Sequence, residues 1–107
     1  MTARELMETL PGAFLPEKAG NTKALLQFNL TGEGSGQWVM DVANGKCQVR
    51  EETVSQPDVT VTMAANDFAA LYGNQLNPVQ AFMAGKIKVS GNVGLVMQLL
   101  NWFDRGS

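Results

Sequence analysis

The sequence of 107 residues contains no histidine and only one cysteine. The absence of histidine removes the commonest general base, the usual catalytic triads and most zinc sites. Because Cys47 stands alone, an internal disulfide and any CxxC redox or metal pair are excluded, which is typical of a reducing compartment. The sequence therefore predicts no catalytic residues, no metal site and no cofactor.

Positive charge and long apolar runs are also scarce. Eight basic residues face ten acidic ones, and they are scattered singly except for Lys86 and Lys88, so no basic stripe exists and no nucleic-acid partner is expected. No apolar run approaches the ~20 residues that span a bilayer, and Glu5 and Glu8 contradict a secretory signal. These features predict a cytoplasmic protein.

What the sequence does contain is the composition of one folded domain over residues 1–107. Hydrophobic residues make up 45% and charged residues 17%, with four prolines. A globule of this length buries a little over ~60% of the surface that its unfolded chain exposes, which is enough for one core.

Apolar and polar residues alternate with a period of two in five stretches, which predicts five strands. The Asn-Gly pair within ANGK favours a tight hairpin turn, and a meander of the first four strands is expected. The strands are predicted from Ala24 to Thr31 and in QWVMDV, CQVRE, DVTVTM and KIKVS.

Residues with helical spacing surround these strands. The first helix has a capping box at Thr2 and is expected to end at Pro11, and two short helices follow the fourth strand with Asn66 and Asn77 as N-caps. Since each strand has one apolar face, the prediction is a two-layer α+β domain. It has a five-stranded, mainly antiparallel sheet that helices cover on one face and water covers on the other.

The last helix, within GNVGLVMQLLNWF, is more apolar than such a sheet requires. One narrow polar stripe consists of Gly94, Gln98, Asn101 and Arg105, and nearly all the rest of the circumference is hydrophobic. The surplus apolar surface requires a core position, a partner subunit or a hydrophobic ligand. Four methionines are flexible enough to line a cavity for such a ligand: Met40, Met63, Met83 and Met97.

Three segments, WVMDVANGK, PDVTVTMAANDFAALYGNQLNP and AFMAGKIKVSGNVGLVMQLLNW, resemble the sterol carrier protein 2 family in order and spacing. The resemblance runs from Phe28 to about Trp102. It implies a hydrophobic tunnel between sheet and helices that holds fatty acids, fatty acyl-CoAs, phospholipids or sterols. Carried over by position, the tunnel walls would be Phe28, Trp38, Met40, Phe68, Leu71, Phe82, Met83, Leu95, Met97, Leu99 and Trp102.

Two departures from the family bear on the ligand. Some members have a glutamine where this chain has Leu100, so a polar contact to a ligand head is not expected there. The sequence also ends without the peroxisomal signal of eukaryotic members, which points to a stand-alone, prokaryotic-type protein for which sterol is not expected.

The leading hypothesis is a non-enzymatic lipid-binding or lipid-transfer protein. The alternative is a dimerisation or accessory module that presents lipid or isoprenoid-quinone intermediates to a partner enzyme. The expected partners are therefore a lipid ligand, a second copy in a homodimer, and a membrane or lipid enzyme in transient contact. An enzyme acting on thioesters is the least supported reading, because no activated nucleophile is present.

Overall fold

A computed structural model of the protein describes residues 3–73 and 75–103, without the side chains of Ala3 and Leu100. The described residues form five strands and five α-helices, which confirms the predicted α+β class. In chain order they are α1 (Ala3–Ala13), α2 (Pro16–Ala19), β1 (Ala24–Thr31), β2 (Gly36–Ala43), β3 (Lys46–Arg50), β4 (Val59–Ala64), α3 (Ala65–Tyr72), α4 (Pro78–Met83), β5 (Ile87–Gly91) and α5 (Val93–Leu99), followed by a 3-10 turn (Leu100–Trp102).

The strands form one sheet in the order β3-β2-β1-β4-β5. Three of the neighbouring pairs are antiparallel and the central pair, β1 and β4, is parallel, so the prediction of a mainly antiparallel sheet is confirmed. The expected meander holds through β3 and is wrong at β4, which lies beside β1. Two parallel strands require a crossover, and residues 51–58 provide it.

The crossover is anchored on the sheet face that was predicted to be wet. The Gln27 side chain is only 4% exposed. Its amide nitrogen donates to the carbonyl oxygens of Trp38 (3.2 Å) and Glu52 (3.3 Å), and its oxygen accepts from the backbone N–H of Val54 (2.9 Å). Val39, opposite Gln27 on β2, is fully buried. The middle of this face is therefore covered by the chain itself.

The other face carries the core and the helices. Helix α1 packs on β3 and α3 and buries Leu6, Met7 and Leu10. It continues past Pro11 to Ala13, two residues beyond the predicted end, because a proline in the last turn removes only one backbone hydrogen bond. The capping box at Thr2 lies outside the described residues.

The two short helices differ in how they begin. Helix α3 follows β4 directly from Ala64, so Asn66 lies within its first turn and the prediction of an N-cap there is wrong. Helix α4 starts as predicted, with the Asn77 side chain accepting from the N–H groups of Val79 (2.9 Å) and Gln80 (3.1 Å). Over residues 3–73 and 75–103, no helix has the length and apolar character needed to cross a bilayer.

Candidate functional site

An apolar cavity lies between the sheet and helices α3, α4 and α5. Every described side chain that lines it is hydrophobic, so within residues 3–73 and 75–103 its walls offer neither a charge nor a hydrogen-bonding side chain. Twelve described residues line it: Phe28, Val61, Met63, Phe68, Leu71, Pro78, Phe82, Ile87, Val93, Val96, Met97 and Leu99. We call this space the outer cavity.

The sheet register places the floor of the outer cavity. Phe28 lies opposite Val61 across the parallel pair, and Met63 lies opposite Ile87 on β5. Because side chains alternate along a strand, all four point to the helix-covered face. The ring of Phe68 on α3 packs against Phe28 with 5.7 Å between ring centroids.

Helices α4 and α5 form the side of the cavity that meets solvent. Phe82, Val93 and Met97 line the cavity and are also 40%, 40% and 43% exposed. We call these three residues the cavity rim. Ala81 is the only buried residue of α4 (Pro78–Met83), and Leu99 is the only one of α5 (Val93–Leu99). Few buried contacts therefore hold these two helices against the sheet.

The outer cavity is closed by its own side chains. Its free volume is about 20 Å³, which is room for roughly one water molecule. Ligand pockets typically measure ~300–1,000 Å³. A large apolar guest can enter only if side chains on α4 and α5 move outward, and their small number of buried contacts makes that the least costly motion.

A second apolar space lies between α1, β2, α3 and residues 99–103, and we call it the inner cavity. It is lined by Leu10, Met40, Phe68, Tyr72, Leu99 and Phe103 and has about 10 Å³ of free volume. Phe68 and Leu99 belong to both linings. These two side chains are therefore the partition between the outer and inner cavities.

The structure brings most of the predicted wall residues together. Phe28, Phe68, Leu71, Phe82, Met97 and Leu99 line the outer cavity, and Met40, Phe68 and Leu99 line the inner one.

The other predicted wall residues line neither cavity. Trp38 is buried beneath the Arg4 guanidinium, which lies 5.8 Å from its ring centroid. Trp102 is buried where its carbonyl accepts from the backbone N–H of Leu15 (2.6 Å). Met83 is 80% exposed and Leu95 is half-buried. The Leu100 side chain lies outside the described part of the structure.

Several lining residues were absent from the predicted wall. The strand alternation already pointed Val61, Met63 and Ile87 inward, and Met63 was among the methionines suited to a cavity. Pro78 and Val93 begin short helices, where periodicity gives little indication of which side faces the sheet.

Within the described residues, no charged side chain and no cysteine lines either cavity. Arg4 donates two hydrogen bonds to the Glu51 carboxylate (2.8 and 2.7 Å), which lower the pKa of Glu51. Burial raises the pKa of the Cys47 thiol from its ordinary 9.0 to about 12, so this thiol is neutral at physiological pH. Within the described residues, no three His, Cys, Asp or Glu side chains come together as a metal site.

Comparison with protein families gives a match to the SCP-2 sterol transfer family over residues 6–104. Human "Sterol carrier protein 2" is 46% identical over 85 residues, which is 79% of this chain and 16% of the human protein. Zebrafish "Hydroxysteroid dehydrogenase-like protein 2" is 36% identical over 97 residues, 89% of this chain and 23% of that protein. The chain thus spans less than a quarter of these curated relatives.

A solved structure of similar length has the same fold. It is the "palmitated SCP2L2 from Aedes aegypti", which aligns with a TM-score of 0.75 at 30% identity and covers 94% of this chain and 93% of its own.

Proposed function

The chain belongs to the SCP-2 sterol transfer family, and from this premise we propose that it binds a lipid with a long apolar chain in the outer cavity without catalysing a reaction on it. One observation carries the proposal: all twelve side chains that line the outer cavity in the described part of the chain are hydrophobic. Such a lining favours hydrocarbon and disfavours any group that needs a hydrogen bond.

The energetics of the proposal require no specific polar contact. Burial of a methylene is worth ~0.8 kcal/mol, and a micromolar dissociation constant corresponds to about 8 kcal/mol. A chain of ~15 methylenes therefore exceeds this figure by several kcal/mol before the costs of ordering and of opening the cavity. Broad specificity among acyl lipids follows, because each of them presents the same hydrocarbon.

The lining also suggests a path for the ligand. The hydrocarbon enters between the side chains of the cavity rim, runs over Phe28, and ends at the partition of Phe68 and Leu99. The polar end of the lipid stays in water outside the rim. Fatty acid, acyl-CoA and phospholipid all fit this arrangement, and the relative described as palmitated supports an acyl ligand.

Native mass spectrometry of the purified protein, followed by titration of the delipidated protein with palmitate, tests this function. We expect bound lipid or stoichiometric uptake of palmitate. A protein that is isolated empty and takes up no palmitate would refute the proposal.

A pair of neighbouring variants on α5 tests the position of the site. Met97→Glu puts a carboxylate on the cavity rim, where an entering hydrocarbon would have to desolvate it, so weaker palmitate binding is expected. Gln98→Glu adds the same charge one residue away, on an exposed side chain that lines neither cavity, and should bind as the wild type does. Equal affinities of the two variants would place the ligand elsewhere.

A second candidate function is an accessory module that presents a lipid or isoprenoid-quinone intermediate to an enzyme. It is favoured by the zebrafish relative, in which the matching segment is 23% of a protein named for its dehydrogenase-like character. Under this function the protein would also bind its ligand in the outer cavity. The molar mass measured by light scattering distinguishes the two functions, because a lipid-free dimer would favour the accessory module over the lipid carrier.

A further inference from the structure

The methionines of the described residues differ sharply in how much solvent reaches them. Met7, Met40 and Met63 are 1%, 1% and 3% exposed, whereas Met83 is 80% and Met97 is 43% exposed. A peroxide in solution must touch the sulfur that it oxidises, so it reaches the two exposed methionines before the three buried ones. Of the two exposed methionines, only Met97 lines the outer cavity.

The single cysteine does not compete for a peroxide. Cys47 is buried, and burial raises the pKa of its thiol to about 12. The thiol is therefore neutral at physiological pH, and a neutral thiol is a poor nucleophile. Among the described residues, the sulfur-containing side chains open to an oxidant are those of Met83 and Met97.

The position of Met97 gives its oxidation a consequence. Met97 belongs to the cavity rim, between whose side chains the hydrocarbon is proposed to enter. Oxidation converts its apolar thioether into a polar sulfoxide. Because all twelve described lining side chains are hydrophobic, none of them can donate a hydrogen bond to the new oxygen. An entering hydrocarbon would remove water from the sulfoxide without replacing its hydrogen bonds.

We propose that a peroxide oxidises Met97 to its sulfoxide and thereby weakens lipid binding in the outer cavity, an inference that rests on the function proposed above. A lone pair of the Met97 sulfur attacks one oxygen of hydrogen peroxide, the S–O bond forms and the O–O bond breaks. The transferred hydroxyl gives its proton to the departing hydroxide, so the sulfur is oxidised and the peroxide is reduced to water. Methionine sulfoxide reductases reverse the modification.

Met83 is an internal control for Met97. It is more exposed and lines neither cavity, so its oxidation should proceed at least as readily and leave lipid binding unchanged. Bound lipid separates the two sites further. A hydrocarbon that passes between the side chains of the cavity rim covers Met97, whereas Met83 stays in contact with water.

Mass spectrometric peptide mapping after treatment with hydrogen peroxide locates the modification. We expect sulfoxide at Met83 and Met97 before it forms at the three buried methionines. Saturation with palmitate should slow the oxidation of Met97 and leave that of Met83 unaltered. Resistance of Met97 at peroxide concentrations that oxidise Met83 would overturn the proposal, and so would a rate at Met97 that bound palmitate does not change.

Palmitate titration before and after peroxide treatment measures the effect on binding. The affinity of the wild type should fall about tenfold or more and return after treatment with both methionine sulfoxide reductases, one for each epimer. Met83→Leu should show the same loss. In Met97→Leu, peroxide should leave the affinity at the value of the untreated variant, whatever that value is. Equal losses in Met97→Leu and the wild type would show that another residue is responsible and refute the proposal.

The same titration separates this inference from the function on which it rests. An untreated wild-type protein that binds no palmitate would refute the proposed function. An untreated protein that binds palmitate, and binds it equally well with sulfoxide at Met97, would overturn the inference about Met97 alone.

Discussion

Phe68→Ala is expected to join the outer and inner cavities. Phe68 is only 4% exposed and borders both spaces. Truncation of a buried phenylalanine lowers the free energy of unfolding by ~3–5 kcal/mol, out of ~5–15 kcal/mol for a domain of this kind. The variant should therefore remain folded at room temperature with a clearly lower melting temperature, and its interior should contain one continuous space.

The joined space should change how the affinity for a fatty acid depends on the length of its acyl chain. In the wild type, affinity for saturated fatty acids should stop rising at the length at which the chain meets the ring of Phe68. In Phe68→Ala it should go on rising, and two further buried methylenes would add ~1.6 kcal/mol, or roughly fifteenfold in affinity. Displacement of a fluorescent fatty acid by acids of increasing length measures this curve.

Leu30→Ala is the control for lost stability. Leu30 is buried to a similar degree (3% exposed) on β1 and lines neither cavity. Its truncation should also lower the free energy of unfolding, by ~2–5 kcal/mol, without shifting the length at which affinity stops rising. If the curves of the two variants coincide, Phe68 does not separate the two cavities.

Three further predictions concern the framework. Gly91→Ala should lower the free energy of unfolding in urea by ~1–3 kcal/mol, because φ is +106° and a Cβ would lie 2.5 Å from the Asp58 carbonyl oxygen. An unchanged free energy of unfolding would show that this backbone position tolerates a side chain. Gln27→Leu should lower the free energy of unfolding by ~1–3 kcal/mol, because the Val54 N–H loses its acceptor. An unchanged urea midpoint would refute this prediction. Burial raises the pKa of the Cys47 thiol to about 12, so above about pH 9 this thiol ionises in the unfolded chain before it does in the folded one. The free energy of unfolding should therefore fall between about pH 9 and pH 12. Cys47→Ala should reduce this fall.

The sequence predicts where the strands and helices lie better than it predicts which strands pair in the sheet. Alternation locates all five strands, and the Asn77-Pro78 pair locates the start of α4, since both signals arise from local backbone chemistry. Alternation gives no information about which strand β4 pairs with. That pairing depends on a crossover that the buried Gln27 side chain and the hydrogen bond between Leu25 and Asp58 anchor.

The candidate site is predicted only in part for a related reason. An apolar face on a short helix predicts burial, yet Val79 and Met83 on α4 are 51% and 80% exposed and Ala81 is the buried residue. Periodicity shows that apolar residues share a side and leaves open whether that side meets the sheet or the solvent. The family resemblance supplies the cavity, while the partition by Phe68 and Leu99 is visible only in three dimensions.

The parallel pairing of β1 with β4 has a consequence for the order of folding. Short turns join β1, β2 and β3, so these strands can pair soon after collapse. The pairing of β4 with β1 joins residues far apart in the sequence: Leu25 and Asp58, which are linked by a 2.8 Å hydrogen bond, are 33 residues apart. The half of the chain that carries the cavity walls should therefore form last. In native-state hydrogen exchange, the amides of α4 and α5 should open before those of β1 and β2, so that the site can admit a guest while the meander stays intact.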